Sequence, residues 1–137
     1  MIPITLSPNR RTRLFKWMVK LMIARQEKGG INESMIYKMR AFSARYGLPM
    51  PSGAVSTPVK IAGYEAAWIK MPESRADRVL LYFHGGGYVN SSPKMHAQMI
   101  ARMASTLQAR ALAVEYPLAP EHPYPAALEY AREAYQA

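Results

Sequence analysis

The stretch Val79-Leu80-Leu81-Tyr82-Phe83-His84-Gly85-Gly86-Gly87-Tyr88-Val89 decides how the rest of this chain is read. Its apolar and aromatic run predicts a buried strand, and it stops abruptly at a histidine and three glycines. Three consecutive glycines cost conformational entropy unless the loop needs unusual dihedrals or bare N–H groups facing a ligand. The stretch therefore reads as a strand that ends in an anion cradle.

Working outward toward the C-terminus, Ser92-Pro93 is a helix start, with a serine cap and proline at the first helical position. Met95, Met99, Met103 and Leu107 recur every four residues and predict a core-facing stripe against a sheet. Ala111-Leu112-Ala113-Val114 is a second buried strand. Strand, helix and strand in that order imply a right-handed crossover, a parallel pair and hence an α/β fold. Prolines 117, 120, 123 and 125 then forbid both helix and central strand, so Tyr116 to Pro125 is a stiff loop. Pro125 opens a last helix with Leu128, Ala131 and Tyr135 on one face, and the sequence stops at Ala137 as if in mid-helix.

Toward the N-terminus, Pro72 to Arg78 reads as a polar loop, and Val59 to Ile61 with Ala66 to Ile69 as a short antiparallel pair turning around Gly63. Proline, serine and glycine between Met50 and Thr57 mark a boundary. Residues 1–50 form a helical segment and residues 51–137 the α/β core. In the helical segment, Ser7-Pro8 starts a helix toward Gly29-Gly30, with Leu14, Trp17, Met18, Leu21 and Met22 on one face and Arg13, Lys16, Lys20 and Lys28 around the rest. Asn32 caps a second helix with the stripe Ile36, Met39, Phe42 and Tyr46, stopped by Gly47 and Pro49.

Charge is concentrated in this segment. Ten Lys or Arg face only Glu27 and Glu33 in the first 50 residues, out of a net +9 for the 137-residue chain. The basic hairpin fits a solvated face over a packed stripe, a membrane-surface helix or a nucleic-acid patch. Nucleic acid is disfavoured, because no interleaving of aromatic and basic residues continues into the strands. Lys16 and Lys20 interrupt Leu14 to Ala24, so it makes neither a signal peptide nor a membrane span. With no cysteine the chain has no disulfide framework, and a cytoplasmic location is expected. The three histidines lack the paired spacing of a zinc site, so neither metal nor cofactor is expected.

Phosphate-binding loops require a lysine and hydroxyl after their glycines, or glycines spaced along a strand-turn-helix, and Gly85-Gly86-Gly87 has neither pattern. Acyl transfer fits better, because a tetrahedral intermediate concentrates negative charge on one oxygen that unobstructed backbone N–H groups can approach.

Leu81 to Val89, with His-Gly-Gly-Gly at its centre, followed by Glu115-Tyr116-Pro117-Leu118-Ala119-Pro120-Glu121-His122-Pro123-Tyr124-Pro125-Ala126-Ala127-Leu128, resembles the hormone-sensitive-lipase-like carboxylesterases of the α/β-hydrolase fold. The resemblance implies the N-terminal part of such a sheet, with about four strands and two sheet-packing helices, preceded by a helical cap hairpin. It implies that Gly86 and Gly87 offer oxyanion N–H groups, that His84 and Gly85 set the loop's shape, and that Tyr88 either walls an acyl pocket or packs in the core. It also implies a small-molecule ester as substrate. Two departures stand out. Pro117 occupies a position where the family usually has arginine, and no Gly-x-Ser-x-Gly elbow occurs anywhere in the chain. Asp77, the only aspartate, precedes the glycine loop, so no Ser-Asp-His triad can be assembled in the family's order. The expectation is an esterase portion that carries the oxyanion loop and is inactive alone, with a complementing C-terminal half as its partner. The alternative is a non-catalytic or membrane-surface module.

Overall fold

A computed structural model describes residues 9–27, 32–45 and 47–137. It divides into two compact units that meet in sequence at Asn32 and Glu33. The first contains helix α1 (Arg10–Glu27). Asn9 caps it, its side-chain Oδ1 accepting from the Thr12 N–H at 2.9 Å. The expected start at Ser7-Pro8 and end at Gly29-Gly30 lie outside the described residues. Leu14, Phe15, Trp17, Met18 and Leu21 of α1 are all exposed.

The second unit begins with α2 (Glu33–Ser43) and continues through β1 (Val55–Ile61), β2 (Tyr64–Lys70), β3 (Arg75–Phe83), α3 (Pro93–Leu107), β4 (Ala109–Val114) and α4 (Ala126–Gln136). The four strands form one sheet in the order β1-β2-β4-β3. β1 and β2 are the expected antiparallel pair, Ile61 facing Tyr64 across the turn at Gly63. β3 and β4 are the expected parallel pair, with Leu81 opposite Leu112 and Phe83 opposite Val114. Pro58 is accommodated because β1 is an edge strand.

Period-two alternation divides the sheet into two apolar faces. On one, Ile69, Ala111 and Ala113 pack with Ile100, Ala101 and Ala104 of α3. On the other, Ala66, Leu112 and Val114 pack with Tyr116 and with Tyr130 and Ala134 of α4. The result is a helix, sheet, helix sandwich with β4 buried along almost its whole length.

Several sequence expectations are corrected. The glycine strand is only half-buried rather than buried, because it pairs with β4 alone and nothing among the described residues pairs with its outer side. It also starts earlier, so Arg75 to Arg78 belong to the strand rather than to a polar loop, with an irregularity between Arg75 and Val79. The helices present different faces from those expected. Met95, Met99, Met103 and Leu107 are exposed, and α3 buries Ile100, Ala101 and Ala104 instead. On α2, Ile36 is buried as expected, but Met39 and Phe42 are exposed and Ser43 is buried, and Tyr46 lies outside the described residues. On α4, Leu128 and Tyr135 are exposed while Tyr130 and Ala134 are buried. Small side chains let each helix backbone approach the sheet closely, and close approach decides which face turns inward.

Tyr130 carries a hydroxyl that is buried with no hydrogen-bond partner among the described residues. Its ring meets Tyr64 edge-on at 4.5 Å between centroids, so the apolar part is well packed. Tyr130→Phe should therefore raise stability by about 1 kcal/mol in urea unfolding, since it removes an unpaired polar atom and keeps the ring. A loss of that size would show that the hydroxyl is paired.

Candidate functional site

At the C-terminal end of β3 the chain leaves the sheet through His84 and enters a loop whose backbone is left-handed at four of six positions. The φ angles are 135° at Gly86, 63° at Gly87, 62° at Tyr88 and 85° at Ser91. Gly86 cannot be another residue in this shape. A Cβ there would overlap the Asn90 carbonyl oxygen and stand 3.0 Å from the Ser91 Cβ. Gly85 and Gly87 have open space where a Cβ would go. Val89 and Asn90 N–H groups both donate to the Gly86 carbonyl, at 3.2 and 3.1 Å, closing the turn. Among the described residues, the N–H groups of Gly86 and Gly87 donate to no protein acceptor.

His84 is almost fully buried. Its ring stacks on Tyr116 at 4.3 Å, and the Tyr116 hydroxyl donates to the His84 carbonyl at 2.5 Å. Nδ1 lies 2.9 Å from the Gly85 carbonyl, which assigns the ring proton to Nδ1 and leaves Nε2 buried without a partner among the described residues. Burial pushes the imidazole below its ordinary 6.5, with the nearby His96 acting in the same direction against the Gly85 hydrogen bond. Folding thus favours neutral His84. Its contribution is complete above pH 6.5 and is lost as pH falls below that value. The unfolding midpoint of the native chain should drop more steeply below about pH 6.5 than that of His84→Gln. Parallel pH profiles would show that His84 charges without cost.

A cavity of about 700 Å³ opens over this loop. It is lined by His84, Gly85, Gly86, Gly87 and Tyr88 on one side and by residues of the proline loop and α4, including Tyr116, His122 and Leu128, on the other. All five residues singled out in the sequence therefore meet at one cavity. Tyr88 is largely exposed and lines the cavity rather than packing in the core. The apolar character of Tyr116, Tyr124, Ala127 and Leu128, with bare glycine N–H groups at one wall, suits a substrate with an apolar chain and one oxygen that gathers negative charge.

Sequence reasoning missed Arg40 and Ser43 of α2. The Arg40 Nε donates to the Val89 carbonyl at 2.7 Å, one terminal nitrogen pairs with Glu121 at 2.7 Å, and the other donates to the Ala119 carbonyl. The Ser43 hydroxyl hydrogen-bonds the Asn90 side chain at 3.1 Å. The available signal was position: Ile36, Arg40 and Ser43 follow three-and-four spacing and share one helix face. His96 does not line the cavity. Its nitrogens contact the Tyr82 hydroxyl at 3.1 Å and the Ser91 hydroxyl at 3.0 Å, tying β3 and the glycine loop to α3. No group of three metal-ligating side chains occurs among the described residues.

Comparison with known proteins agrees with this geometry. Residues 80–137 match the alpha/beta hydrolase fold family. The chain is 38% identical over 80 residues to an esterase of Acinetobacter venetianus, a match that takes in 58% of this chain and 26% of that protein. It is 35% identical over 108 residues to an acetyl-hydrolase of Streptomyces hygroscopicus, covering 79% of this chain and 35% of the other. The crystal structure of an esterase/lipase from an uncultured bacterium superposes with a TM-score of 0.72 at 36% identity, over 86% of this chain and 41% of that one. An esterase structure from the bacterial hormone-sensitive lipase family gives a TM-score of 0.66 at 30% identity, over 82% of this chain and 38% of that one. The fold and cavity thus define an α/β-hydrolase sheet. Over its matched part the chain is similar to hormone-sensitive-lipase-like esterases of that fold. It spans well under half the length of the relatives it matches.

Proposed function

We propose that this chain is the N-terminal portion of a serine carboxylesterase and supplies its oxyanion hole. The single observation that carries this is the pair of unpartnered N–H groups at Gly86 and Gly87, held in a left-handed loop at the wall of an apolar cavity. In the reaction, a serine on another part of the enzyme attacks the ester carbonyl and a histidine takes the serine proton. The carbonyl oxygen, now an anion, is received by the Gly86 and Gly87 N–H groups. Collapse of the intermediate expels the alcohol, and water releases the acid. His84 and Gly85 hold the loop's shape, Tyr88 borders the acyl chain, and residues 1–50 serve as the cap segment. The nucleophile is not in this sequence, since no Gly-x-Ser-x-Gly elbow is present.

The test uses a chromogenic short-chain ester such as p-nitrophenyl butyrate. The 137-residue chain alone should release nitrophenol no faster than buffer, and mixing it with a polypeptide carrying the elbow serine, acid and histidine should produce hydrolysis. Hydrolysis by the chain alone would overturn the absent nucleophile, and a soluble but silent complex would overturn the oxyanion assignment.

A second reading has one observation of its own. Helix α1 exposes Leu14, Phe15, Trp17, Met18 and Leu21, with Arg13, Lys16 and Lys20 on the same helix, as in a segment that lies on an anionic membrane. No described helix is long and apolar enough to cross a membrane. Salt-sensitive co-sedimentation with phosphatidylserine vesicles would favour this reading, and absence of binding would leave α1 to the cap.

A further inference from the structure

The glycine loop holds a shape that a chain of L-residues does not keep unaided. Tyr88 and Ser91 sit in the left-handed region without being glycine, and such conformations persist only where their surroundings hold them. The turn bonds to the Gly86 carbonyl close the loop on itself but do not attach it to the rest of the molecule. Besides the Ser91–His96 contact to α3, attachment at its far end comes from α2 and the proline loop. The Ala119 N–H donates to the Tyr88 carbonyl at 2.8 Å, the Arg40 Nε to the Val89 carbonyl at 2.7 Å, and an Arg40 terminal nitrogen to the Ala119 carbonyl. These bonds form a closed ring through one guanidinium. The third arm of the same group reaches Glu121.

We propose that Arg40 is a positioning residue that fixes the oxyanion loop, so that α2 sets the direction of the Gly86 and Gly87 N–H groups. This rests on the oxyanion reading given above. A planar guanidinium matches the task because its donors diverge at fixed angles toward three acceptors from two loops. The side chain is only 22% exposed, so water competes weakly for the two carbonyls. A lysine ammonium, a compact point charge, cannot reach the Val89 and Ala119 carbonyls and the Glu121 carboxylate in that arrangement. Arg40 touches none of the reacting groups. It acts through the Val89 carbonyl, three residues beyond Gly86.

Hydrogen exchange on the 137-residue chain, with no ester present, tests the assignment. Arg40→Ala should raise exchange of amides 87–91 and 119 by about tenfold or more while β2 and β4 amides keep their protection. Arg40→Lys should resemble Arg40→Ala. Glu121→Gln, which spares both carbonyl contacts, should raise exchange far less. Millimolar guanidinium should restore protection to Arg40→Ala, whereas equimolar urea should not; a side chain that merely filled space would not respond to the ion. Unchanged exchange in Arg40→Ala, full protection in Arg40→Lys, a rise spread equally through β4, or no rescue by guanidinium would each overturn the proposal. Because exchange is read without substrate, such a result removes Arg40 and leaves the oxyanion reading to be judged by ester hydrolysis alone.

Discussion

If Gly86 is an oxyanion donor as proposed, Gly86→Ala should cut ester hydrolysis by the reconstituted enzyme about a hundredfold or more, because displacing one such donor costs about 3 kcal/mol at the transition state. The physical cause is local. At φ 135° an added Cβ overlaps the Asn90 carbonyl oxygen, so the turn from Gly86 to Ser91 must open. Opening breaks the bonds from the Val89 and Asn90 N–H groups to the Gly86 carbonyl and displaces the Gly86 and Gly87 backbone. Gly85→Ala is the control, since its Cβ meets nothing within 4 Å, its φ is not in the left-handed region, and alanine keeps the carbonyl that binds His84 Nδ1. It should keep the loop intact by hydrogen exchange. Steady-state kinetics should show the loss in kcat rather than KM, because the interaction strengthens as the oxygen becomes charged. Wild-type turnover in Gly86→Ala would remove Gly86 from the role.

Ile100→Ala should destabilise the chain by about 2 to 5 kcal/mol in urea unfolding, whereas Met99→Ala, one residue away, should change stability by about 0.5 kcal/mol or less. Ile100 is fully buried between α3 and the sheet, against Ile69, Ala111 and Ala113, and truncation leaves a cavity there. Met99 is 44% exposed, so truncation removes little buried area. The pair discriminates between two registers of one helix. If the methionine stripe were the core face, Met99→Ala would be the costly change.

That contrast also marks where sequence reasoning failed. Spacing correctly located helices at residues 33–43, 93–107 and 126–136, but hydrophobicity named the wrong inward face in α3 and α4 and placed only Ile36 correctly in α2. The larger apolar side chains, Phe42, Met99 and Leu128, are outside; the sheet accepts Ala101, Ala104 and Ala134, and Ser43 turns to the Asn90 side chain of the glycine loop. Periodicity reports that a helix has an apolar side, but the distance at which two backbones can pack is a property of both partners. The buried character of the glycine strand was overread for a related reason: an apolar run reports the capacity to be buried, and β3 has a neighbour on one side only.

By itself the sequence determined the parallel strand pair, the glycine loop at the end of β3, the proline loop after β4 and the family to which they point. Each of these depends on local chemistry: the dihedral freedom of glycine, the missing proline N–H and the alternation of strand side chains. Tertiary structure alone decided that Gly86 is the loop glycine with no room for a Cβ, since the obstruction is the Asn90 carbonyl folding back upon it. It alone brought Arg40 to Val89 and Ala119, which lie 49 and 79 residues away in the chain. No local pattern encodes a contact of that separation; it exists only once α2, the glycine loop and the proline loop have been carried together by the folding of the sheet between them.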